Sequence, residues 1–156
     1  MRTTLIVIGK TANKHLSALI NDYSERINHY MPFEITYLPE VKKWSNMSEE
    51  QQKEKEADLI LNNLYPTDNI ILLDEHGTNL TSIELSKWLS KKKQSGRKLV
   101  LIIGGPYGFS DRVYKRTNEK ISLSSLTFSH DMARLLLCEQ IYRASTILKG
   151  ESYHHE

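Results

Sequence analysis

Short apolar segments alternate along the chain with longer amphipathic ones, the pattern of strands that alternate with helices. Residues 5–8 (LIVI) form an apolar run that ends at Gly9, and residues 33–38 (FEITYL) largely alternate between apolar and polar side chains. Both runs predict strands, the second with one face exposed. Between them, residues 13–30 place apolar side chains at helical spacing, and Pro32 stops this predicted helix.

Two capping boxes predict where the next helices begin. Ser48 is followed three residues later by Gln51, and Thr81 is followed in the same way by Glu84. In such a pair, each side chain accepts a hydrogen bond from the backbone N–H at the other position, which stabilises the first turn. The boxes predict helices that run from 49 to about 64 and from 82 to about 96.

Two continuous apolar runs, 69–74 (NIILLD) and 98–103 (KLVLII), predict buried strands, and we expect a turn with Gly77 after the first. Strands that are apolar on both faces belong to a parallel sheet covered by helices. The second run is followed by a glycine loop, a short helix, a brief strand and a long last helix, at 104–108, from about 110, at 121–123 and at 131–149. The sequence therefore predicts a single α/β domain over residues 1–156, with an open, mostly parallel sheet flanked by helices. Ligands are expected at the carboxyl ends of the strands.

The last predicted helix is apolar in almost every direction around its first two turns, through residues 132, 133 and 135–138. A helix that is apolar all round has to be buried all round. Either the sheet and a neighbouring helix of the same chain enclose it, or a second subunit covers its outer face. We favour the second subunit because a domain this small rarely encloses a helix completely.

Composition excludes several classes of protein. The 156 residues are 39% hydrophobic and 26% charged, with 21 basic and 19 acidic side chains and a net charge of +2. This is too apolar for a disordered chain, and it leaves no room for a strongly basic or acidic tail. One cysteine excludes an intrachain disulfide and a multi-cysteine zinc site. The apolar runs are too short for a membrane span or a signal peptide, so we expect a cytoplasmic protein.

The loop GGPYG at 104–108 directly follows a buried strand. Its glycines would let the backbone approach a ligand closely, but glycine and proline are equally typical of a tight turn. The loop lacks both the dinucleotide fingerprint and the phosphate-binding P-loop motif. A turn and a ligand-binding loop therefore both remain open.

Polar residues follow the other buried strand, where Asp74, Glu75 and His76 stand in sequence. Neighbouring residues of a strand point to opposite faces, so we expect a solvated loop or a ligand contact here and not a metal site. The hydroxyl-rich segment 122–128 is expected to cross the sheet edge as a loop, and it carries no serine-nucleophile elbow. Cys138 lies among leucines and is expected to be a core residue.

The chain ends in Tyr153, His154, His155 and Glu156. These residues form either a frayed tail or a functional group in which an aromatic ring stacks on a base beside an imidazole. Four residues after Glu139, Arg143 is either an ordinary intrahelical ion-pair partner or a clamp on a substrate.

Four segments together resemble a known family: LDEHG at 73–77, IIGGPYG at 102–108, ISLSSLTFSH at 121–130, and the stretch from ARLLLCEQIYRA to YHHE within 133–156. They are similar to the bacterial 23S rRNA pseudouridine N3-methyltransferases of the SPOUT class, over essentially the whole chain. The resemblance implies a deep trefoil knot in the C-terminal half and a homodimer. It also implies S-adenosylmethionine bound in the knot, and as substrate one pseudouridine of the 23S rRNA on the assembled ribosome.

The resemblance also implies roles for individual residues. Those carried over to the cofactor are Leu73, Gly104, Gly105, Leu123, Ser124, Ser125, Leu126, Thr127 and Phe128. Those carried over to the substrate and the catalytic step are Arg143, Tyr153, His154 and Glu156. The target nitrogen is an imide that must lose its proton. Since histidine ordinarily titrates near neutral pH, His154 is the favoured general base or proton relay, and Tyr153 is expected to stack on the base.

Two other functions remain open. A non-catalytic, ribosome- or RNA-associated nucleotide-binding module would share the fold and the glycine loop. A small α/β hydrolase would need an ordered nucleophile and base, which no motif provides. For RNA binding, the candidate phosphate contacts are Lys10, Lys14, Lys42, Lys43, Arg112, Lys115 and Arg116, and together they predict salt-sensitive binding.

Overall fold

A computed structural model describes residues 1–41 and 47–155, in which strands and helices alternate. The five strands are β1 (Thr3–Ile8), β2 (Phe33–Leu38), β3 (Asn69–Asn79), β4 (Leu99–Ile103) and β5 (Glu119–Ser122). The five helices are α1 (Lys14–Ile27), α2 (Glu49–Leu61), α3 (Ser82–Gln94), α4 (Asp111–Arg116) and α5 (His130–Leu148).

The strands form one sheet in the order β2-β1-β4-β3-β5, and every neighbouring pair is parallel. The register aligns Val7 and Leu73 with Ile103, the last residue of the central strand β4. The carboxyl ends of β1, β3 and β4 therefore meet at one edge of the sheet. This confirms the predicted α/β architecture with a parallel sheet.

The sheet separates two apolar cores. Odd-numbered residues such as Leu5 and Leu101 pack with α1, α3 and α5 on one face, and even-numbered residues such as Ile6 and Ile102 pack with α2 and α4 on the other. All five residues of β4 are buried. A strand covered on both faces needs apolar side chains at every position, which explains the continuous apolar runs in the sequence.

The predicted turn at Gly77 is wrong, because β3 continues to Asn79. Both Leu73 and Thr78 pair with Ile121 of β5, so the residues between them form an irregularity in the strand. A Cβ atom on Gly77 would lie 2.6–2.8 Å from backbone atoms of Ile121. Glycine is needed here because two backbones approach closely, and not because the chain turns.

The helices differ from the prediction mainly at their ends. Both capping boxes form, but α2 ends at Leu61 and α1 ends at Ile27. The end of α1 has a local cause in Asn28, whose side chain donates to the Ser24 and Phe33 carbonyls and accepts from the Phe33 amide. These bonds end the helix several residues before Pro32.

Helix α5 is covered only in part by its own chain. Leu137, Cys138, Ile141 and Ala144 are buried in the core shared with α1 and α3. In contrast, 36% of Met132 is exposed, and Leu135 and Leu136 are half-buried. Packing within the chain therefore accounts for the inner face of α5 and leaves outer apolar positions open. A second subunit over that face stays a prediction, as does the trefoil knot.

Candidate functional site

A cleft of about 910 Å³ opens at the carboxyl edge of the sheet. Its walls are the end of β3, the glycine loop after β4, the segment after β5 and the beginning of α5. This volume is typical of small-molecule sites. All nine residues predicted to contact the cofactor line this cleft: Leu73, Gly104, Gly105 and residues 123–128.

The glycine loop is both a tight turn and a wall of the cleft. Gly108 has a φ of +79°, donates its amide to the Gly105 carbonyl at 3.2 Å and closes the turn. A Cβ on Gly104 would lie 2.9 Å from the Phe109 ring. A Cβ on Gly105 would overlap the Glu56 carboxyl group, with Cδ only 2.6 Å away. The two interpretations of GGPYG are therefore compatible, since the turn geometry brings the loop backbone to the cleft.

Glu56 of α2 lies behind this loop and is only 3% exposed. Burial raises the pKa of its carboxyl group, and the charge of Glu40 acts in the same direction, while a hydrogen bond from Gln52 opposes them. Among the described residues, Oε1 of Glu56 has no hydrogen-bond partner. The sequence did not indicate this position, because a glutamate in a helix rich in Glu and Lys is normally expected at the surface.

Tyr114 of α4 connects two walls of the cleft, the end of β3 and the glycine loop with the adjoining Phe109. Its hydroxyl donates to Oδ2 of Asp74, whose Oδ1 accepts the His76 amide at 2.8 Å. Burial and the bond to Asp74 raise the pKa of Tyr114. Its ring packs edge-on against Phe109 at 5.8 Å between centroids, and Phe109 in turn contacts Gly104. No motif marked Tyr114, and its only signal was a bulky aromatic on a short helix beside the glycine loop.

The segment after β5 forms no helix, as its hydroxyl-rich sequence predicted. Its shape is held locally, since Ser122 Oγ donates to the Ser124 carbonyl at 2.9 Å and the Leu126 amide donates to Ser124 Oγ at 3.0 Å. The side chain of Leu126 is 72% exposed although it borders the cleft. This wall therefore offers backbone polar groups and an apolar side chain to a ligand.

A second cluster of predicted site residues lies along the second half of α5, from Glu139 onward. Arg143 donates to Glu139 Oε1 through Nη2 at 2.6 Å and through Nε at 3.1 Å. The Tyr153 hydroxyl donates to the same oxygen at 3.0 Å, and Arg143 Nη1 lies 3.1 Å from Nδ1 of His154. The predicted ion pair between Glu139 and Arg143 thus forms, and both side chains also bind the C-terminal residues Tyr153 and His154. We call these four residues the tail cluster.

Aromatic packing holds the tail cluster on α5, where Tyr142 also packs against Tyr23 of α1 at 5.9 Å between ring centroids. The Tyr153 ring packs edge-on against Tyr142 at 4.7 Å between centroids, with the Arg143 guanidinium 4.7 Å from the Tyr153 ring centre. Burial and the hydrogen bonds that its hydroxyl forms with Tyr23 and Glu139 raise the pKa of Tyr153. The alternative of a frayed tail is therefore wrong for Tyr153 and His154.

The cleft and the tail cluster do not meet within one chain. Ala133 of α5 lines the cleft, and Arg143 follows ten residues later, about 15 Å further along the helix axis at 1.5 Å per residue. The two groups of predicted residues are thus placed at different levels along α5. Glu156, the fourth predicted catalytic residue, lies outside the described residues.

The candidate phosphate contacts differ in how they are used within the chain. Arg112 pairs with Glu54 at 2.8 Å and Asp58 at 2.7 Å, and Arg116 donates to the Tyr65 carbonyl. The guanidinium groups of Arg112 and Arg116 are therefore already bound within the chain. The exposed candidates are Lys10, Lys14 and Lys115, while Lys42 and Lys43 lie outside the described residues.

Other types of site have little support in the structure. Within residues 1–41 and 47–155, no group of three or more His, Cys, Asp or Glu side chains is arranged to hold a metal ion. Over the same ranges, no helix combines the length and the hydropathy that a membrane span requires. Cys138 is fully buried, and this burial raises the pKa of its thiol to about 12. It is a core residue, as predicted.

Known proteins resemble this chain in sequence and in fold. Three relatives named "Ribosomal RNA large subunit methyltransferase H" match across 100% of both chains. They come from Flavobacterium psychrophilum at 55% identity, Parabacteroides distasonis at 54% and Bacteroides fragilis ATCC 25285 at 52%.

Among solved structures, a methylase family protein from Neisseria gonorrhoeae superimposes with a TM-score of 0.53 at 13% identity, over 99% of this chain and 87% of the other. One from Haemophilus influenzae Rd KW20 gives 0.53 at 11% identity, over 99% and 70%. At such identities the structures support the fold alone. The family model described as "Predicted SPOUT methyltransferase" matches residues 1–154. The chain therefore belongs to the SPOUT methyltransferase family.

Proposed function

We propose that this protein transfers a methyl group from S-adenosylmethionine to large-subunit ribosomal RNA, at N3 of a pseudouridine. One observation carries the proposal: the segments predicted to contact the cofactor are far apart in sequence and line one cleft at the carboxyl edge of the sheet. The names of the full-length relatives support the substrate class.

The cleft fits this cofactor in size and in chemistry. The backbone of the glycine loop and of residues 123–128 would hold its polar groups, and Leu73 and Leu126 would contact its apolar surfaces. Asp74 carries a carboxylate held by Tyr114 at the cleft wall, which suits a cationic ligand. When bound, the cofactor supplies an activated methyl group on a sulfonium. The protein contributes mainly by placing the acceptor nitrogen in line with that group.

We further propose that the tail cluster of one subunit completes the site of a second subunit. Two features support a homodimer of this kind: the distance between the cleft and the tail cluster along α5, and the apolar positions left exposed on α5. In this arrangement each subunit supplies a cofactor cleft and a substrate-side tail.

The tail residues then have distinct roles. A guanidinium only donates hydrogen bonds, so Nδ1 of His154 accepts from Arg143 in this structure. During the reaction, Arg143 turns to a substrate oxygen and Nδ1 receives the proton of N3. Loss of this proton leaves its electron pair on N3, which would accept the methyl group that the cofactor supplies when held by Leu73, the glycine loop and residues 123–128. Tyr153 stacks on the presented base.

Ribosomes from a strain that lacks this protein test the proposal when they are incubated with the purified protein and methyl-labelled S-adenosylmethionine. Label in the 23S rRNA, mapped to one pseudouridine, is the expected result. Cofactor binding without transfer would instead identify the non-catalytic RNA-associated module. Because the substrate is the assembled ribosome, we propose the cytoplasm as the location.

A further inference from the structure

The C-terminal segment folds back along α5 directly after the helix ends. Gly150 has a φ of +71°, and its amide donates to the Ile147 carbonyl at 3.0 Å. The Glu151 amide donates to the Thr146 carbonyl at 3.0 Å. These two bonds form a Schellman turn, whose left-handed position favours glycine. The turn reverses the chain direction, so that Tyr153 contacts the second half of α5 again.

The turn alone cannot fix the residues that matter for the reaction. A short chain end ordinarily frays unless other parts of the chain hold it. His154, the favoured general base, has to lie within hydrogen-bond reach of the proton that it removes. A displacement of about 1 Å can cost about 100-fold in rate. Contacts beyond the turn must therefore hold the C-terminal segment in place.

Tyr142 of α5 is the centre of an aromatic group that joins this segment to α1 and to the residues that follow α1. Its ring centroid lies 4.7 Å from that of Tyr153, 5.9 Å from that of Tyr23 and 6.0 Å from that of Tyr30. These pairs are tilted or edge-on, as the charge distribution of aromatic rings favours. The Arg26 guanidinium lies 5.5 Å from the centre of the Tyr142 ring. One side chain thus connects Tyr153 with the helix packed against α5.

Tyr30 holds the segment at a second point, close to the turn. Its hydroxyl donates to Glu151 Oε2 at 2.7 Å, and this bond, together with burial, raises the pKa of Tyr30 to about 12. The hydroxyl therefore keeps its proton and remains a donor at neutral pH. The bond joins residues 121 positions apart in the chain. The C-terminal segment is thus held by Tyr30 near its start and by Tyr142 further on.

We propose that Tyr142 and Tyr30 are positioning residues for methyl transfer, which hold Tyr153 and His154 where the substrate base is presented. The inference rests on the function proposed above and adds how the C-terminal segment is held for the reaction. Both residues act through this segment and not on the base itself. Neither of them lines the cleft. Their loss should therefore slow turnover and leave cofactor binding unchanged.

Two substitutions of Tyr142 test its role in turnover. Tyr142→Leu removes the ring contacts but keeps an apolar side chain, and Tyr142→Phe keeps the ring. With ribosomes as substrate, kcat should fall at least about tenfold in Tyr142→Leu and less than about twofold in Tyr142→Phe, since the ring makes the aromatic contacts. The Kd for S-adenosylmethionine, measured by calorimetry, should stay within about twofold in both variants because the cleft lies elsewhere.

Trypsin gives a second measurement that needs no turnover. Lys149 is exposed, and cleavage after it removes Tyr153 and His154, so the rate reports how often the segment opens. The rate, followed by mass spectrometry, should rise at least about threefold in Tyr142→Leu and in Tyr30→Phe. The control Tyr65→Phe alters a tyrosine that is 65% exposed in the turn before β3 and should leave the rate unchanged. Tyr30→Phe removes only one hydroxyl and serves the same purpose if Tyr142→Leu does not fold.

Three outcomes would overturn the positioning role. The first is an unchanged rate of cleavage after Lys149 in Tyr142→Leu and Tyr30→Phe. The second is a kcat in Tyr142→Phe as low as in Tyr142→Leu, and the third is a loss of cofactor affinity as large as the loss of kcat. If the unmodified protein transfers no methyl group to ribosomes, the proposed function fails. The cleavage rates would then still show whether Tyr142 and Tyr30 hold the segment.

Discussion

The first turns and the second half of α5 border two different kinds of site. At its beginning, the cleft is built largely from backbone, with glycines at the positions where side chains would collide. In its second half, the tail cluster is built from side chains that hydrogen-bond to one another around Glu139. No residue of the tail cluster lines the cleft. Binding and turnover should therefore respond to different substitutions.

The largest expected effect is on the cleft, through Gly105→Val. The new side chain would overlap the carboxyl group of Glu56 and displace the glycine loop. We expect affinity for S-adenosylmethionine, measured by calorimetry, to fall by at least about 100-fold, with the fold largely retained in circular dichroism. The double variant Gly105→Val with Glu56→Ala removes the overlapping group and should regain part of the affinity. Unchanged affinity in the single variant would contradict the role of the loop.

The next effect is on the tail cluster, through His154→Ala. Loss of a general base typically costs about 10²–10⁴ in rate, so kcat should fall by that much while cofactor affinity stays within twofold. Mixing the His154→Ala and Gly105→Val chains tests whether the tail acts across the dimer. A mixed dimer holds one intact cleft beside one intact tail and should regain activity. Full activity of His154→Ala alone would exclude it as the base.

Two substitutions of Tyr153 can distinguish stacking on the base from hydrogen bonding as its role. Its ring packs against Tyr142 and Arg143, and its hydroxyl donates to Glu139. If stacking on the base is its role, Tyr153→Phe should reduce kcat by less than about fivefold and Tyr153→Ala by about 100-fold in the ribosome assay. Similar losses in both variants would assign the function to the hydroxyl and its bond to Glu139.

The sequence predicted the cleft better than its surroundings, for a physical reason. Strand ends and glycines are local features, and parallel strands bring their carboxyl ends together, so Leu73 and Gly104 were expected to be close. The contacts of Tyr114 with Asp74 and of Glu56 with Gly105 join residues more than 35 positions apart. No periodicity or local spacing encodes such pairs, and both residues were therefore missed.

The net charge was a poor guide to the charges available for binding RNA, for a related reason. A net charge of +2 describes the whole chain, while recognition depends on which charges are left without partners at one surface. Arg112 is a plausible phosphate contact in sequence, yet Glu54 and Asp58 bind it.

The smallest expected effect concerns Glu56 and depends on pH. Burial raises the pKa of Glu56 in the folded state. Its contribution to stability is therefore full below the pKa of the unfolded chain and is lost as the pH rises through the folded value. Glu56→Gln cannot ionise, so it should gain melting temperature relative to the unmodified protein between pH 4.5 and pH 8, by about 2–4 °C for each 1 kcal/mol.

The matched control is Glu54→Gln on the same helix, whose carboxylate pairs with Arg112 at the surface. That substitution removes an ion pair and should lower the melting temperature slightly, without a gain toward pH 8. Thermal unfolding at both pH values measures the two variants side by side. If the Glu56→Gln variant instead became less stable than the unmodified protein as the pH rises, the buried carboxylate would have to be ionised and stabilised by a hydrogen-bond donor of the glycine loop. The contact of Glu56 with the glycine loop would then depend on its negative charge and not on close packing against Gly105 alone.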